Sequence, residues 1–206
     1  MTKMLYIKAS PRGEQSFSTR AGEAFVQKYT ETNPDDQVDT LDLFEEKLPA
    51  FNGLTLSAKY RILHGEEATE DEKKAWRQVE EIIERFKSAD KYLFSLPMWN
   101  FGISYRLKHY IDILVQPTYT FSVTENGYEG IVTGKPAALV YARGGDYPPD
   151  SPVDYQKKYM ETILGFIGFA EFKSVIVQPT LAGGPDTAKQ KLQEATEKAR
   201  QLAAEF

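Results

Sequence analysis

Cysteine is absent from all 206 residues. The chain therefore has no disulfide framework, thiolate nucleophile, iron–sulfur cluster or cysteine zinc site, and any redox chemistry must be carried by a bound cofactor. Histidine occurs only at His64 and His109, far apart and in no ligand pattern, which argues against a metal centre or a histidine general base. No apolar stretch reaches the length of a membrane span. The net charge of −5 is the wrong sign for a nucleic-acid surface, which is basic and clustered on one face. The chain starts in an apolar strand without a charged leader or small-residue cleavage site, so it reads as a cytoplasmic protein. There is no G-x-S-x-G elbow, Gly-Lys-Ser/Thr phosphate loop or G-x-G-x-x-G fingerprint.

What remains is a globular composition, 41% hydrophobic and 27% charged, and a length that fits a single domain over 1–206 with a substantial core. Apolar runs predict parallel strands at Met4–Ala9, Gln37–Leu43, Tyr92–Leu96, Pro136–Ala142 and Lys173–Gln178, the second towards a sheet edge. Helical spacing joins Phe17, Ala21, Ala24 and Phe25. A capping box at Thr69 and Glu72 opens a helix whose buried face carries Trp76, Val79, Ile82, Ile83 and Phe86. On its exposed side, Glu70 with Lys74 and Glu81 with Arg85 read as solvated pairs. Further helices are expected at Ile103–Val115, Tyr155–Phe169 and Asp186–Glu205. Residues 44–68 read as a surface excursion, with a short helix at Leu56–His64. Asn126-Gly127 predicts a hairpin between Tyr119–Thr124 and Ile131–Thr133. Five strands alternating with helices make a doubly wound parallel sheet with helices on both faces and an inserted hairpin.

Three loops at the carboxyl edge of that sheet carry the functional signal, because open α/β folds bind ligands there. After the first strand, Ser10-Pro11-Arg12-Gly13 leads to Ser16-Phe17-Ser18 at a helix start, where free amides and a positive dipole end suit phosphate. Helix capping explains one of these serines but not all of them with an arginine. After the third strand, Met98, Trp99 and Phe101 surround one amide, Asn100. They suit a flat apolar ligand, though aromatics there also serve to cap a core. After the fourth strand, Arg143-Gly144-Gly145 lets the backbone approach a ligand, or makes a tight turn with none. One phosphate on a flat ring system points to a mononucleotide such as FMN. A phospho-receiver domain shares this strand order, but its magnesium carboxylates are missing after the first strand, where Lys8-Ala9-Ser10 stands.

These motifs, with Phe121, Thr124-Glu125-Asn126-Gly127 and Leu164-Gly165-Phe166-Ile167-Gly168, run nearly end to end. Together they resemble the FMN-dependent NADH-azoreductases, flavodoxin-like enzymes related to the NAD(P)H quinone reductases. The resemblance implies that Ser10, Arg12, Ser16, Phe17 and Ser18 hold the FMN phosphate end. It implies that Met98, Trp99, Asn100, Phe101, Arg143, Gly144 and Gly145 frame the isoalloxazine, and that Tyr119 and Phe121 cover a substrate pocket. It further implies a homodimer with its sites at the interface, NADH or NADPH as donor, and quinones or azo compounds as acceptors, with FMN itself carrying the chemistry. Trp99 stands where tyrosine is frequent in that family, and Thr118 where glycine often precedes the hairpin aromatics. A flavodoxin-like carrier passing electrons to a protein partner is the alternative reading; the hairpin and the apolar helix end weigh against it.

Overall fold

The computed structural model describes residues 1–206. Its centre is a five-stranded parallel sheet of β1 (Lys3–Lys8), β2 (Gln37–Asp42), β3 (Lys91–Pro97), β6 (Ala137–Ala142) and β7 (Phe172–Val177), in the order β2-β1-β3-β6-β7. Strand β6 is buried along its whole length, whereas β2 buries only Leu41, as an edge strand should. Alternate side chains feed two cores. On one face, Met4, Tyr6, Leu93 and Val140 meet α1 (Phe17–Thr32) and α6 (Gly184–Ala204). On the other, Leu5, Ile7, Phe94, Leu96 and Leu139 meet α3 (Glu70–Lys87), α4 (Tyr105–Leu114) and α5 (Tyr155–Ile167). The chain turns from one half of the sheet to the other between β1 and β3, which opens a crevice at their carboxyl ends.

Local chemistry fixes the joints. Gly22 in α1 lies against Tyr6, where an added Cβ would come within 2.5 Å of the phenol oxygen. That phenol donates to Ser95 Oγ at 3.1 Å, binding β1 to β3 below the crevice. The expected capping box on α3 is complete, and Glu72 also accepts from Ser57 Oγ at 2.5 Å. Ser57 lies on α2 (Gly53–Leu63), which starts earlier than its apolar pattern indicates because Asn52 Oδ1 accepts from the Leu54 and Thr55 amides. No helix is long and apolar enough to cross a membrane.

Three expectations require correction. Glu70 pairs with Lys73 rather than Lys74. Arg85 does not pair with Glu81; it reaches across to Asp39 of β2 at 2.8 Å and Glu46 at 3.1 Å, where two carboxylates outbid one solvated neighbour. The hairpin is β4 (Phe121–Thr124) with β5 (Gly127–Gly130), not Ile131–Thr133. Thr124 pairs directly with Gly127, so Glu125-Asn126 is the whole turn and the second arm begins at once. Val132 is instead buried, its amide donating to the Ile167 carbonyl. The hairpin presses so closely on the end of α5 that a Cβ on Gly130 would stand 2.2 Å from the Gly168 nitrogen.

Candidate functional site

The three loops meet. Ser10, Arg12, Ser16, Phe17, Met98, Trp99 and Gly144 line one cleft of about 150 Å³, together with Pro97, Ala142, Thr180 and Leu181. Backbone hydrogen bonds lock its walls to one another. The Met98 amide donates to the Ala142 carbonyl at 2.7 Å, and Ser104 Oγ, at the start of α4, donates to the Ala9 carbonyl at 3.2 Å.

The serine wall is built for an anion. Ser10, Ser16 and Ser18 are buried. Ser16 caps α1 by accepting from the Thr19 amide at 3.3 Å, and its Oγ shares a 3.1 Å hydrogen bond with Ser18 Oγ. The Phe17 and Ser18 amides donate to nothing within the chain, and Thr19 Oγ1 is buried without a partner. Sheltered hydroxyls and free N–H groups at the positive end of a 16-residue helix fit a phosphate.

The aromatic wall is strained. Trp99 and Gly102 exchange amide-to-carbonyl hydrogen bonds at 3.0 and 2.9 Å, leaving Asn100 and Phe101 as a two-residue turn with φ of 47° and 68°. This is the type I′ geometry that favours Asn and Gly, and Phe in it is an outlier. The turn projects both aromatics outwards, Trp99 36% and Phe101 48% exposed. Trp99 is flanked by Phe44 and Tyr105 with ring centroids at 6.1 and 6.2 Å, and Phe101 by Tyr147 at 6.5 Å.

In the glycine wall, the carbonyls of Arg143 and Gly144 accept from the Thr180, Leu181 and Ala182 amides at 2.9–3.0 Å, while the Gly144 and Gly145 amides stay free. Of the two, Gly144 lines the cleft. The Arg143 side chain does not: it is 2% exposed and turned inward. Its Nη2 meets Asp154 Oδ2 at 2.7 Å, Nε donates to Gln156 at 3.2 Å and Nη1 to Gln178 at 3.3 Å. Gln156 in turn donates to the Leu96 carbonyl at 3.1 Å and Gln178 to the Tyr147 carbonyl at 2.8 Å. One buried cation therefore ties the ends of β3, β6 and β7 to the start of α5. Its side chain holds the walls together, and a guanidinium this deep needs the carboxylate partner it has in Asp154.

Of the two hairpin aromatics, Phe121 packs on Phe166 and Tyr128 at 4.8 and 5.8 Å, apart from the cleft within one chain. Tyr119 packs on α3 and is not among the residues lining the cleft of its own chain. Its hydroxyl accepts from Trp76 Nε1 at 3.0 Å and donates to Glu80 at 2.6 Å, so it anchors the hairpin to α3. Burial and the Glu80 carboxylate raise its pKa and keep the phenol neutral. His64 stacks on Tyr60 at 6.4 Å and His109 Nε2 lies 3.0 Å from the Pro49 carbonyl. Sequence reading missed Thr180 and Leu181; their place just after the fifth strand, at the same edge, was the available signal.

A parallel sheet of this order, with a phosphate-type helix start and an aromatic turn at its switch point, defines a flavodoxin-like α/β protein. The sequence matches the flavodoxin-like fold family over residues 2–203. It is 53% identical, over the full length of both chains, to an FMN-dependent NADH:quinone oxidoreductase of Nitratidesulfovibrio vulgaris. The structure superposes on the crystal structure of an azoreductase from Bacillus anthracis with a TM-score of 0.92 at 34% identity, all of both chains covered. On an FMN-dependent NADH-azoreductase from the same species in complex with FMN the TM-score is 0.87 at 30% identity, covering 98% of this chain and 100% of that one. The chain belongs to the family of FMN-dependent NADH:quinone oxidoreductases.

Proposed function

We propose that this chain is an FMN-dependent oxidoreductase that takes electrons from NADH or NADPH and delivers them in pairs to quinones or azo compounds, as a cytoplasmic homodimer. The observation that carries the reading is the convergence of the serine, aromatic and glycine loops on one cleft at the switch point. The activities for which its relatives are named support it. Bound FMN supplies hydride acceptance and two-electron delivery in a ping-pong cycle, the spent donor leaving before the acceptor takes its place.

The chain's own residues do the rest. Ser10, Ser16, Ser18 and the free Phe17 and Ser18 amides hold the phosphate, with the Arg12 cation beside them. Met98, Trp99, Asn100 and Phe101 form one wall for the ring. The free amides of Gly144 and Gly145 donate to its polar edge, where they favour the extra negative charge of the reduced state. The lining of the cleft holds no carboxylic acid or histidine, so we assign the proton to solvent. Tyr60, Trp99, Phe101, Tyr105 and Tyr155 are exposed; a second copy covers this face and brings its own hairpin, with Phe121, over the pocket.

The test is a visible spectrum of the protein reconstituted with FMN, before and after anaerobic NADH and then a benzoquinone. Bleaching by NADH and recovery with quinone establish the reading. A protein that takes up no FMN, or a bound flavin that NADH leaves oxidised, refutes it.

A further inference from the structure

Beside the cleft lies a larger hollow of about 460 Å³ between the starts of α1 and α6. The two share Arg12, Phe17, Thr180 and Leu181 as a common wall. The hollow has an apolar floor of Phe17, Pro185 and Leu192, and Leu181 stands at its rim, 77% exposed. Its charged lining consists of Arg12, Arg20 and Lys189, with no acid among the lining residues. None of these three exposed side chains forms an ion pair or hydrogen bond within the chain, although the protein carries a net charge of −5. Helix α6 adds to the positive potential, since its cap is Gly183 and no side chain covers its first amides.

Unpaired cations around an apolar floor recognise an aromatic body that carries a phosphate or sulfonate. We infer that this hollow is a second binding site, for the aromatic anionic end of a substrate whose reactive end enters the adjoining cleft. Two sources share that chemistry: the adenosine diphosphate half of the nicotinamide donor, and an arylsulfonate carried by an azo acceptor. The inference rests on the proposed reductase function for its substrates, and on the hollow alone for its ligand chemistry.

The probes are ADP and 2-naphthalenesulfonate, titrated calorimetrically into the FMN-loaded protein and into its Arg20→Glu, Lys189→Glu and Lys189→Met variants. Arg20 and Lys189 are exposed, so folding is kept, and flavin content is checked first. Weak binding that falls about tenfold or more in each charge reversal, less in Lys189→Met, and further with added salt is the expected result. If ADP responds, KM for NADH rises in the variants while KM for an uncharged benzoquinone does not. If the sulfonate responds, KM rises for a sulfonated azo compound and not for NADH. Either pattern supports the site. Binding that is absent, or equal in wild type and the charge reversals, overturns it even when NADH bleaches the flavin. Failure to take up FMN strikes the reductase reading instead, and ADP titration of the flavin-free protein still tests the hollow.

Discussion

Replacing Asp154 with Asn tests the claim that one buried ion pair holds the walls of the site together. The substitution is isosteric and keeps the oxygen that caps α5 by accepting from the Lys157 amide at 3.1 Å. What it removes is the charge facing Arg143 at 2.7 Å, with both side chains at most 3% exposed. The guanidinium then keeps only the neutral amide oxygens of Gln156 and Gln178. Leaving a buried charge without its partner destabilises by roughly 3–5 kcal/mol, a large share of the roughly 5–15 kcal/mol typical of a folded domain. With a urea slope of about 2 kcal/mol per molar, the unfolding midpoint falls by roughly 1.5–2.5 M, read from the fluorescence of buried Trp76. The double variant Arg143→Met with Asp154→Leu removes both charges and recovers much of that stability. It does not recover flavin affinity, because Gln156 and Gln178 lose the group that orients them. An Asp154→Asn protein within about 1 kcal/mol of wild type, below the range for a stranded charge, would refute the reasoning.

Three further predictions concern single joints. Ser16→Ala with Ser18→Ala loses FMN by roughly a hundredfold in Kd, as expected when about two charge-assisted hydrogen bonds go; flavin titration with unchanged affinity would withdraw these residues from the phosphate site. Thr118, at φ 70°, is a β-branched residue in a left-handed conformation, so Thr118→Gly raises stability by about 1 kcal/mol, seen as a higher Tm. The Glu72 carboxyl is pulled from 4.5 to about 2 by hydrogen bonds from Ser57 and the Thr69 amide. A depressed folded pKa gives stability that is present above about 4.5 and lost as pH falls towards 2. Acid unfolding of Glu72→Gln should therefore be less steep than wild type across that window, and identical curves would contradict the assignment.

Much of the fold could be read from the chain because five apolar runs at near-regular spacing admit few arrangements. The cleft was legible for the same reason: Ser10, Met98 and Gly144 each follow such a run directly. What periodicity does not encode is where a long side chain turns. Arg143 precedes two glycines, but only the fold shows that its side chain turns inward to Asp154, eleven residues on. Arg85 left its helix neighbour for β2 on the same principle, and Tyr119 found Glu80 and Trp76 on a helix far away in sequence. The second arm of the hairpin begins four residues earlier than expected, at Gly127 and not Ile131, since Asn126-Gly127 marks a reversal without saying which residue pairs first.

The turn at Asn100 and Phe101 also says something about descent. A phenylalanine held at φ 68° works against the fold, and glycine would relieve it. Drift without selection therefore removes the ring first. Where gene copies of this chain have diverged, glycine at position 101 will mark the lineages that kept the scaffold after giving up its ligand, and an aromatic there will mark those still under pressure to hold one.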